Sequence, residues 1–248
     1  MNIYLAAAQT IPEPLRTDEY MKGTYILESF YYVKSWQIPF IRNSWNFLLD
    51  SGAFTFVKNS KTKIDWENYC CRYADFINEN SIDKYFELDI DALIGLKEVE
   101  RLRDKLELLT NKKSISVWHI SRGKEYFLEM VRNYDYVAFG GIITGGQKYR
   151  AMLEKYMPWF IRTAKKNDCK IHGLGFTGTQ NFDKIRFHSV DSTTWSCGGR
   201  YGAIHKFKDG KISMFKAPKG KQTKDYITIN SHNFKEWLKL QKYAERNY

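Results

Sequence analysis

The chain has 248 residues, a mass of 29.3 kDa and a formal net charge of +11, from 39 Lys and Arg against 28 Asp and Glu. A hydrophobic fraction of 43% is enough for one sizeable core, so we expect a single domain over residues 1–248. The sequence contains no run of about 18 apolar residues and no basic helix with a clean apolar face, which argues against a membrane protein. The excess of positive charge indicates a polyanionic partner, with nucleic acid as the leading candidate.

The cysteines and the N-terminus indicate a reducing compartment. Cys70, Cys71, Cys169 and Cys197 show no CxxC or Cys/His ligand spacing, so we expect reduced thiols, no disulfide framework and no metal site. Residues 3–8 are apolar but too short for a signal peptide, and no basic residue precedes them. We therefore expect a cytoplasmic location.

Short segments rich in β-formers alternate with segments of helical period along the whole chain. The predicted strands are residues 2–8, 46–49, 84–88, 114–118, 134–139, 169–173, 185–190 and 201–207. The predicted helices are residues 25–33, 65–80, 95–109, 147–166 and 233–246, with a further helix that ends at residue 132. An Asp-Gly turn at 209–210 predicts a hairpin from the eighth strand into residues 211–215. This alternation predicts an α/β fold, a (β/α)8 TIM barrel with a C-terminal β-hairpin and helix.

Carboxylates, a histidine and a glycine pair stand where predicted strands end. They are Asp50, Asp89, His119, Gly140 with Gly141, and Asp191. In a parallel barrel, the carboxyl ends of the strands and the loops after them converge on one pocket. Each residue taken alone has a structural alternative: a helix or turn cap for Asp191, an ordinary Asp-Ser-Gly turn at Asp50, a hydrogen-bonding role for His119, and turn chemistry for the glycines.

Several carboxylates in one pocket allow a division of labour. One can be ionised as a nucleophile, a second can stay protonated part of the time as a general acid, and a third can accept hydrogen bonds from a base edge. Such a set suits glycosidic-bond chemistry, because a carboxylate can trap an oxocarbenium-like anomeric carbon while an acid assists the departing group. Asp191, which ends an apolar segment, is the first candidate for the nucleophile.

Two further patterns are less specific. Residues 173–178 (GLGFTG) look like a phosphate-cradling loop but lack the Gly-Lys-Ser/Thr ending of a P-loop. Lys216, Lys219 and Lys221 lie in a basic loop that suits phosphate contacts, although a solvated loop without a partner is the equal alternative.

Five strings in a fixed order resemble those of a known superfamily. LLDSGAF, ELDID, VAFGGI, HGLGFTG and SVDSTTW with GGRYG are similar to the tRNA-guanine transglycosylase superfamily, and most similar to its short DNA 7-deazaguanine transglycosylases from bacteriophages and bacteria. The resemblance covers about residues 4–210. It implies a pentosyltransferase that exchanges guanine in DNA for a 7-deazaguanine such as 7-cyano-7-deazaguanine, through a covalent Asp–deoxyribosyl intermediate. It implies no cofactor beyond this base as co-substrate and, for a phage-encoded protein, a location in the host cytoplasm.

The resemblance also implies a role for each site residue. Asp191 resembles the nucleophile and Asp50 the acid/base that also touches the base. Asp89 resembles the carboxylate that reads the amino and ring N–H edge of the purine, while Gly140 and Gly141 resemble backbone donors to its carbonyl. The other residues implied at the base are Ser51, Gly52, Phe54 and His119, and those implied at the nucleic acid are Arg200, Lys216, Lys219 and Lys221.

Two departures from the tRNA enzymes bear on the substrate. Arg122-Gly123 stand where those enzymes carry a base-reading Gln-Gly, and the CxCxxC and distal His of their zinc subdomain are missing. The missing zinc motif favours double-stranded DNA, whose target base has to be flipped out to reach the pocket. Phe54, Trp118 and Trp195 are candidates to stack on that base, or core residues. The open alternatives are tRNA as substrate, a guanine-releasing DNA glycosylase or nucleoside hydrolase, and a non-enzymatic nucleic-acid-binding barrel.

Overall fold

A curled, parallel β-sheet of seven strands forms the centre of the molecule. The computed structural model describes residues 1–57, 64–141, 146–176, 178–198, 202–216 and 225–248. The strands are β1 (Asn2–Ala6), β2 (Tyr25–Ser29), β3 (Asn46–Asp50), β4 (Ser116–Trp118), β5 (Tyr136–Phe139), β6 (Lys170–Gly173) and β7 (Ser189–Ser192). Their order in the sheet is β3-β2-β1-β7-β6-β5-β4, so β1 and β7, the first and the last of these seven strands along the chain, are neighbours. Because all neighbours are parallel, the carboxyl ends of the seven strands lie at one edge.

Residues 84–88 contact both outer strands of this sheet. The Phe86 amide donates a hydrogen bond to the Leu49 carbonyl of β3 (2.9 Å), and the Ile115 amide, next to β4, donates to the Tyr85 carbonyl (2.8 Å). Both contacts are single parallel bridges, Leu49–Tyr85 and Phe86–Ile115. The predicted strand 84–88 is therefore present as a short extended segment between β3 and β4.

Helices cover the outer side of the sheet and connect its strands. They are α1 (Asp18–Met21), α2 (Ile38–Asn43), α3 (Phe54–Val57), α4 (Trp66–Glu79), α5 (Asp91–Ile94), α6 (Leu96–Thr110), α7 (Gly123–Asn133), α8 (Gly146–Lys166) and α9 (Tyr226–Asn247). Local sequence explains the start of α4, because the Asp65 side chain accepts a hydrogen bond from the Asn68 amide (3.0 Å) as an N-cap. None of the helices in the described part of the chain has the length and apolar character needed to cross a bilayer.

Two hydrophobic clusters fill the two sides of the sheet. The larger one lies between the strands and the helices, and buries the inner faces of α4, α6 and α9. The smaller one takes alternate residues of the strands, including Tyr4, Leu27, Leu48, Val117 and Ala138. Alternation is expected because successive side chains of a strand point to opposite faces.

The structure confirms the α/β class, the C-terminal hairpin and the C-terminal helix. The hairpin consists of β8 (Ala203–Lys208) and β9 (Lys211–Lys216), and the helix is α9. The predicted eighth strand, residues 201–207, is wrong as a member of the parallel sheet, because β8 pairs only with β9 among the described residues and packs on α9.

The predicted helix at residues 25–33 is also wrong. This run forms β2, whose Ile26, Leu27 and Glu28 are all buried, followed by a short 3-10 turn. A strand buried on both faces has no alternation to distinguish it from a buried helix. Six of the predicted strands form β1 and β3 to β7, and β2 is the additional strand that makes the sheet seven-stranded.

Candidate active site

Four carboxylates from different segments gather at the carboxyl edge of the sheet. Burial, together with the smaller effects of the negative charges of Asp89, Asp191 and Glu28, raises the pKa of Asp50 to about 7. The Gly52 amide opposes this shift by donating a hydrogen bond to Asp50 Oδ2 (3.0 Å). Asp50 therefore changes its protonation state near neutral pH, as a general acid/base does.

Asp191 has a different environment at the end of β7. Its side chain is buried, and Oδ1 accepts hydrogen bonds from the Gly175 amide (2.6 Å) and from His172 Nε2 (3.2 Å). Among the described residues, none donates a hydrogen bond to Oδ2. Oδ1 is thus held by two donors, which fix the orientation of the carboxyl group.

Asp89 is paired with a histidine and lies close to an arginine. His119 Nε2 is 2.7 Å from Asp89 Oδ1, and Arg122 Nη2 lies 3.8 Å from the same oxygen. Arg122 Nε contacts Asp91 Oδ2 at 3.1 Å. Burial lowers the pKa of His119, but the hydrogen bond and the charge of Asp89 outweigh burial and leave this pKa raised. The cluster is therefore an ion-pair network at the side of the sheet opposite Asp191.

Asp89, Asp91 and His119 are also the one group of described residues with metal-ligand potential, since their ligand atoms lie within 4.8 Å of one another. Arg122 and His119 already compensate the two carboxylates. A positive guanidinium at this distance disfavours a divalent cation. The absence of a metal stays a prediction from the sequence.

A fully buried carboxylate beneath this network positions Arg122. Glu87 Oε1 accepts hydrogen bonds from Arg122 Nη1 (2.9 Å) and the Val117 amide (2.8 Å), and Oε2 accepts from Arg103 Nη1 (3.1 Å). The side chains of Glu87 and Arg122 are 0% and 1% exposed. Their charges therefore depend on each other for compensation.

We expect Glu87→Gln to lower the free energy of unfolding by about 3–5 kcal/mol, because it leaves two buried guanidinium groups without their shared counter-charge. Chemical denaturation followed by circular dichroism measures this loss. Glu67→Gln is the matched control, since Glu67 pairs with Arg101 and Lys105 on the exposed surface of α4. An equal, small effect of both substitutions would contradict the role given to Glu87.

Two glycines let the strands and loops of the site approach each other. Gly52 has a φ of +77°, and a Cβ there would lie 2.6 Å from Ser29 Oγ. A Cβ on Gly140 would lie 2.3 Å from His119 Cε1. The Gly140 amide donates to the Trp118 carbonyl (2.9 Å), so the sheet already uses the donor that was predicted to face the base. The predicted role of Gly140 is thus corrected: this glycine makes room for the His119 ring.

We expect Gly140→Ala to reduce the kcat/KM of the site by about 10- to 100-fold, because the displaced His119 ring loses its hydrogen bond to a charged partner. The pKa of His119 should fall in the variant, since Asp89 raises it in the wild type. Proton NMR titration of the histidines measures this pKa beside the kinetics. An unchanged pKa would show that the ring has kept its place and that the steric argument is wrong.

The structure brings most of the predicted site residues together. Asp50 is the last residue of β3 and Asp191 the last but one of β7, while Asp89, His119 and Gly140 directly follow the 84–88 segment, β4 and β5. Gly141 follows Gly140 with a φ of +77°, and Ser51 is buried with its carbonyl accepting from Tyr69 Oη (2.6 Å). Lys216 is exposed at the end of β9. Arg200, Lys219, Lys221 and the side chain of Phe54 lie outside the described residues.

Of the two roles considered for Trp118 and Trp195, base stacking and core packing, the structure supports core packing. Trp118 and Trp195 are 2% and 0% exposed. Their indole N–H groups donate to the carbonyls of Gly123 (2.8 Å) and Ala6 (2.7 Å). Both rings are therefore part of the core.

Sequence reasoning missed three residues of the site. Glu28 and the exposed Tyr31 were hidden by the helix predicted over residues 25–33, although Tyr31 lies beside Gly52. Burial raises the pKa of Glu28 despite hydrogen bonds from Gln37 and two backbone amides. His172 could have been found from HGLG, which places a histidine directly before a glycine-rich turn at a strand end.

A cavity of about 320 Å³ lies at the opposite end of β6 and β7. Its lining includes Lys165, Lys170, Arg186 and His188, and one carboxylate, Asp168. None of the carboxylates at the carboxyl edge reaches it. The carboxylate cluster is the candidate site, because a hydrogen-bonded acid and an acid with a raised pKa lie together there.

No protein-family model matches this chain, and no curated protein matches it significantly.

Proposed function

We propose that this protein is a DNA-guanine transglycosylase that exchanges guanine in DNA for a 7-deazaguanine such as 7-cyano-7-deazaguanine. The observation that carries the proposal is the contrast between two neighbouring aspartates. Oδ1 of Asp191 accepts two hydrogen bonds that fix the orientation of its carboxyl group, whereas burial and three other carboxylates raise the pKa of Asp50 to about 7. A nucleophile beside an acid/base is the arrangement that covalent glycosyl transfer requires.

The first displacement removes guanine. Asp191 Oδ2 forms a bond to C1′ of the deoxyribose while the bond from C1′ to guanine N9 breaks, and the electron pair of that bond stays with guanine. Protonated Asp50 donates its proton to the departing base. The products are free guanine and a covalent Asp191–deoxyribosyl intermediate in which the phosphodiester backbone is intact.

The second displacement installs the new base. Ionised Asp50 takes the proton from N9 of the 7-deazaguanine, N9 forms the bond to C1′, and Asp191 departs as a carboxylate. Asp89 is suited to accept hydrogen bonds from the amino and N1–H groups of either guanine-type base, with His119 fixing its orientation. The exposed ring of Tyr31 beside Gly52 offers a face for base stacking.

The main-chain bridges of residues 84–88 support a closed (β/α)8 barrel as the fold of this enzyme. With this segment as the remaining strand, every strand of the sheet has two neighbours. Active sites of such barrels lie at the carboxyl ends of the strands. The four carboxylates lie at that edge.

The charge of the chain supports a polynucleotide substrate. Lys206, Lys208, Lys211 and Lys216 are exposed on the hairpin of β8 and β9, and the net charge is +11. Phosphate contacts of this kind make binding weaken steeply as salt is added. The choice of DNA over tRNA rests on the missing zinc motif in the sequence.

The test incubates the protein with duplex DNA and, separately, with tRNA, each carrying labelled guanine, in the presence of 7-cyano-7-deazaguanine. Nucleoside analysis should find label released from DNA and the deazaguanine deoxynucleoside in its place. Modification of tRNA alone would make tRNA the substrate. Release of guanine without incorporation would show a glycosylase, and the absence of both reactions would leave a nucleic-acid-binding barrel.

A further inference from the structure

A chain of buried hydrogen bonds extends from Asp191 into the interior of the sheet. His172 is fully buried, with Nε2 3.2 Å from Asp191 Oδ1 and Nδ1 2.6 Å from Ser189 Oγ. Ser189 Oγ is also hydrogen-bonded to the hydroxyl of Tyr136. The rings of Tyr4 and Phe86 lie against His172, with centroids 5.9 Å and 5.4 Å away, and restrict its rotation.

The chemistry of these groups gives the chain a direction. An ionised carboxylate only accepts, so His172 Nε2 carries the hydrogen. In a neutral imidazole Nδ1 then accepts from the Ser189 hydroxyl, whose oxygen accepts from Tyr136. Burial raises the pKa of Tyr136 and keeps this hydroxyl protonated as a donor. Every donor in the chain is used once, and the chain ends on one oxygen of Asp191.

We propose that His172 is a positioning residue for the Asp191 nucleophile. Its Nε2–H, together with the Gly175 amide, holds Oδ1 so that Oδ2 is presented to C1′, and it stabilises Asp191 when this group departs as a carboxylate. The inference rests on the proposed function and extends it to a residue outside direct contact with the substrate.

The two displacements depend on His172 differently. When Oδ2 is bonded to C1′, Oδ1 carries little negative charge, and the charge returns as that bond breaks in the second displacement. Hydrogen bonds to a charged acceptor are stronger than those to a neutral one, so the donor favours departure of Asp191. Loss of the donor should slow the second displacement most and let the covalent intermediate accumulate.

The kinetic test compares His172→Phe with His172→Gln. We expect His172→Phe to lower kcat by about 10- to 100-fold with little change in KM for DNA, and to accumulate a denaturant-resistant protein–DNA adduct. His172→Gln, whose amide can still donate to Asp191, should recover most of the lost rate. His188→Phe is the matched control, because His188 is an exposed histidine next to Ser189. A full rate in His172→Phe, or a slow rate without adduct in a folded variant, would overturn the inference.

A second measurement does not depend on activity. Nitrogen NMR of the protein labelled at its 5 histidines should find a hydrogen on Nε2 of His172 and a hydrogen-bond acceptor at Nδ1, and Ser189→Ala should shift the Nδ1 resonance. A hydrogen on Nδ1, or a doubly protonated ring, would show that the proposed chain is wrong. If the wild-type protein exchanges no base, the proposed function fails, and the tautomer then decides separately whether the hydrogen-bond chain is correct.

Discussion

Asp191→Asn is expected to reduce base exchange by about 10⁶-fold, the scale seen when a covalent nucleophile is removed. The amide nitrogen of Asn does not attack an anomeric carbon, so no covalent intermediate forms. The amide oxygen can still accept from the Gly175 amide and from His172, which now bond to Asp191 Oδ1. The fold and the affinity for DNA should therefore change little. Nucleoside analysis measures exchange, and denaturing electrophoresis detects the adduct.

The control for this substitution is Asp83→Asn, which removes an exposed carboxylate paired with Lys112 at the end of the 84–88 segment away from Asp89. It should leave exchange, adduct formation and DNA binding unchanged. Exchange in Asp191→Asn at more than a small fraction of the wild-type rate would mean that another group is the nucleophile. Unchanged function of every kind would favour the binding barrel over an enzyme.

The positions of the acids could be predicted because the signal is local. Asp50 ends an apolar segment, and the same pattern precedes Asp89 and Asp191. The rule that such ends converge in a parallel sheet needs no knowledge of distances. The grouping of these acids therefore followed from the sequence once the parallel sheet was predicted.

What the sequence could not supply depends on neighbours distant in the chain. The apolar residues of 25–33 fit both the helical and the strand period. The segment forms a strand because it pairs with β1 on one side and β3 on the other. Because a helix was predicted over residues 25–33, Glu28 was not recognised as a residue of the site. In the same way, nothing in the local sequence shows that the Trp118 carbonyl accepts a hydrogen bond from the Gly140 amide in the sheet.

The different roles of Asp50 and Asp191 are likewise a product of environment. Both are aspartates at strand ends, and the sequence around each offers small residues and glycine. Asp191 receives two hydrogen bonds on one oxygen, while Asp50 receives one from Gly52 and the repulsion of three carboxylates. Burial is the largest cause of the raised pKa of Asp50, and the division of work proposed for the two acids rests on this difference in environment.

Asp50→Asn is expected to lower the rate of base exchange and to raise stability above neutral pH. In the proposed mechanism, the first displacement needs protonated Asp50, whose pKa is about 7. The wild-type rate of guanine release should therefore fall about tenfold per pH unit above that value. Asp50→Asn has no proton to donate, so we expect it to lose about 10²- to 10⁴-fold in rate and to show no such decrease with pH. Initial rates of label release between pH 5 and 9 measure both effects.

The substitution Asp50→Asn should lower activity but raise stability at high pH. The pKa of Asp50 is about 7 in the folded chain against an ordinary value of 3.8, so the folded state binds more protons than the unfolded state between these values. Its contribution to the free energy of unfolding therefore falls as pH rises through this window, by about 1.4 kcal/mol per pH unit. Asn carries no charge and still accepts from the Gly52 amide, so Asp50→Asn should be more stable than the wild type at pH 8 and lose that advantage towards pH 4. Denaturant unfolding at the two pH values measures the difference, and an equal effect at both would contradict the raised pKa.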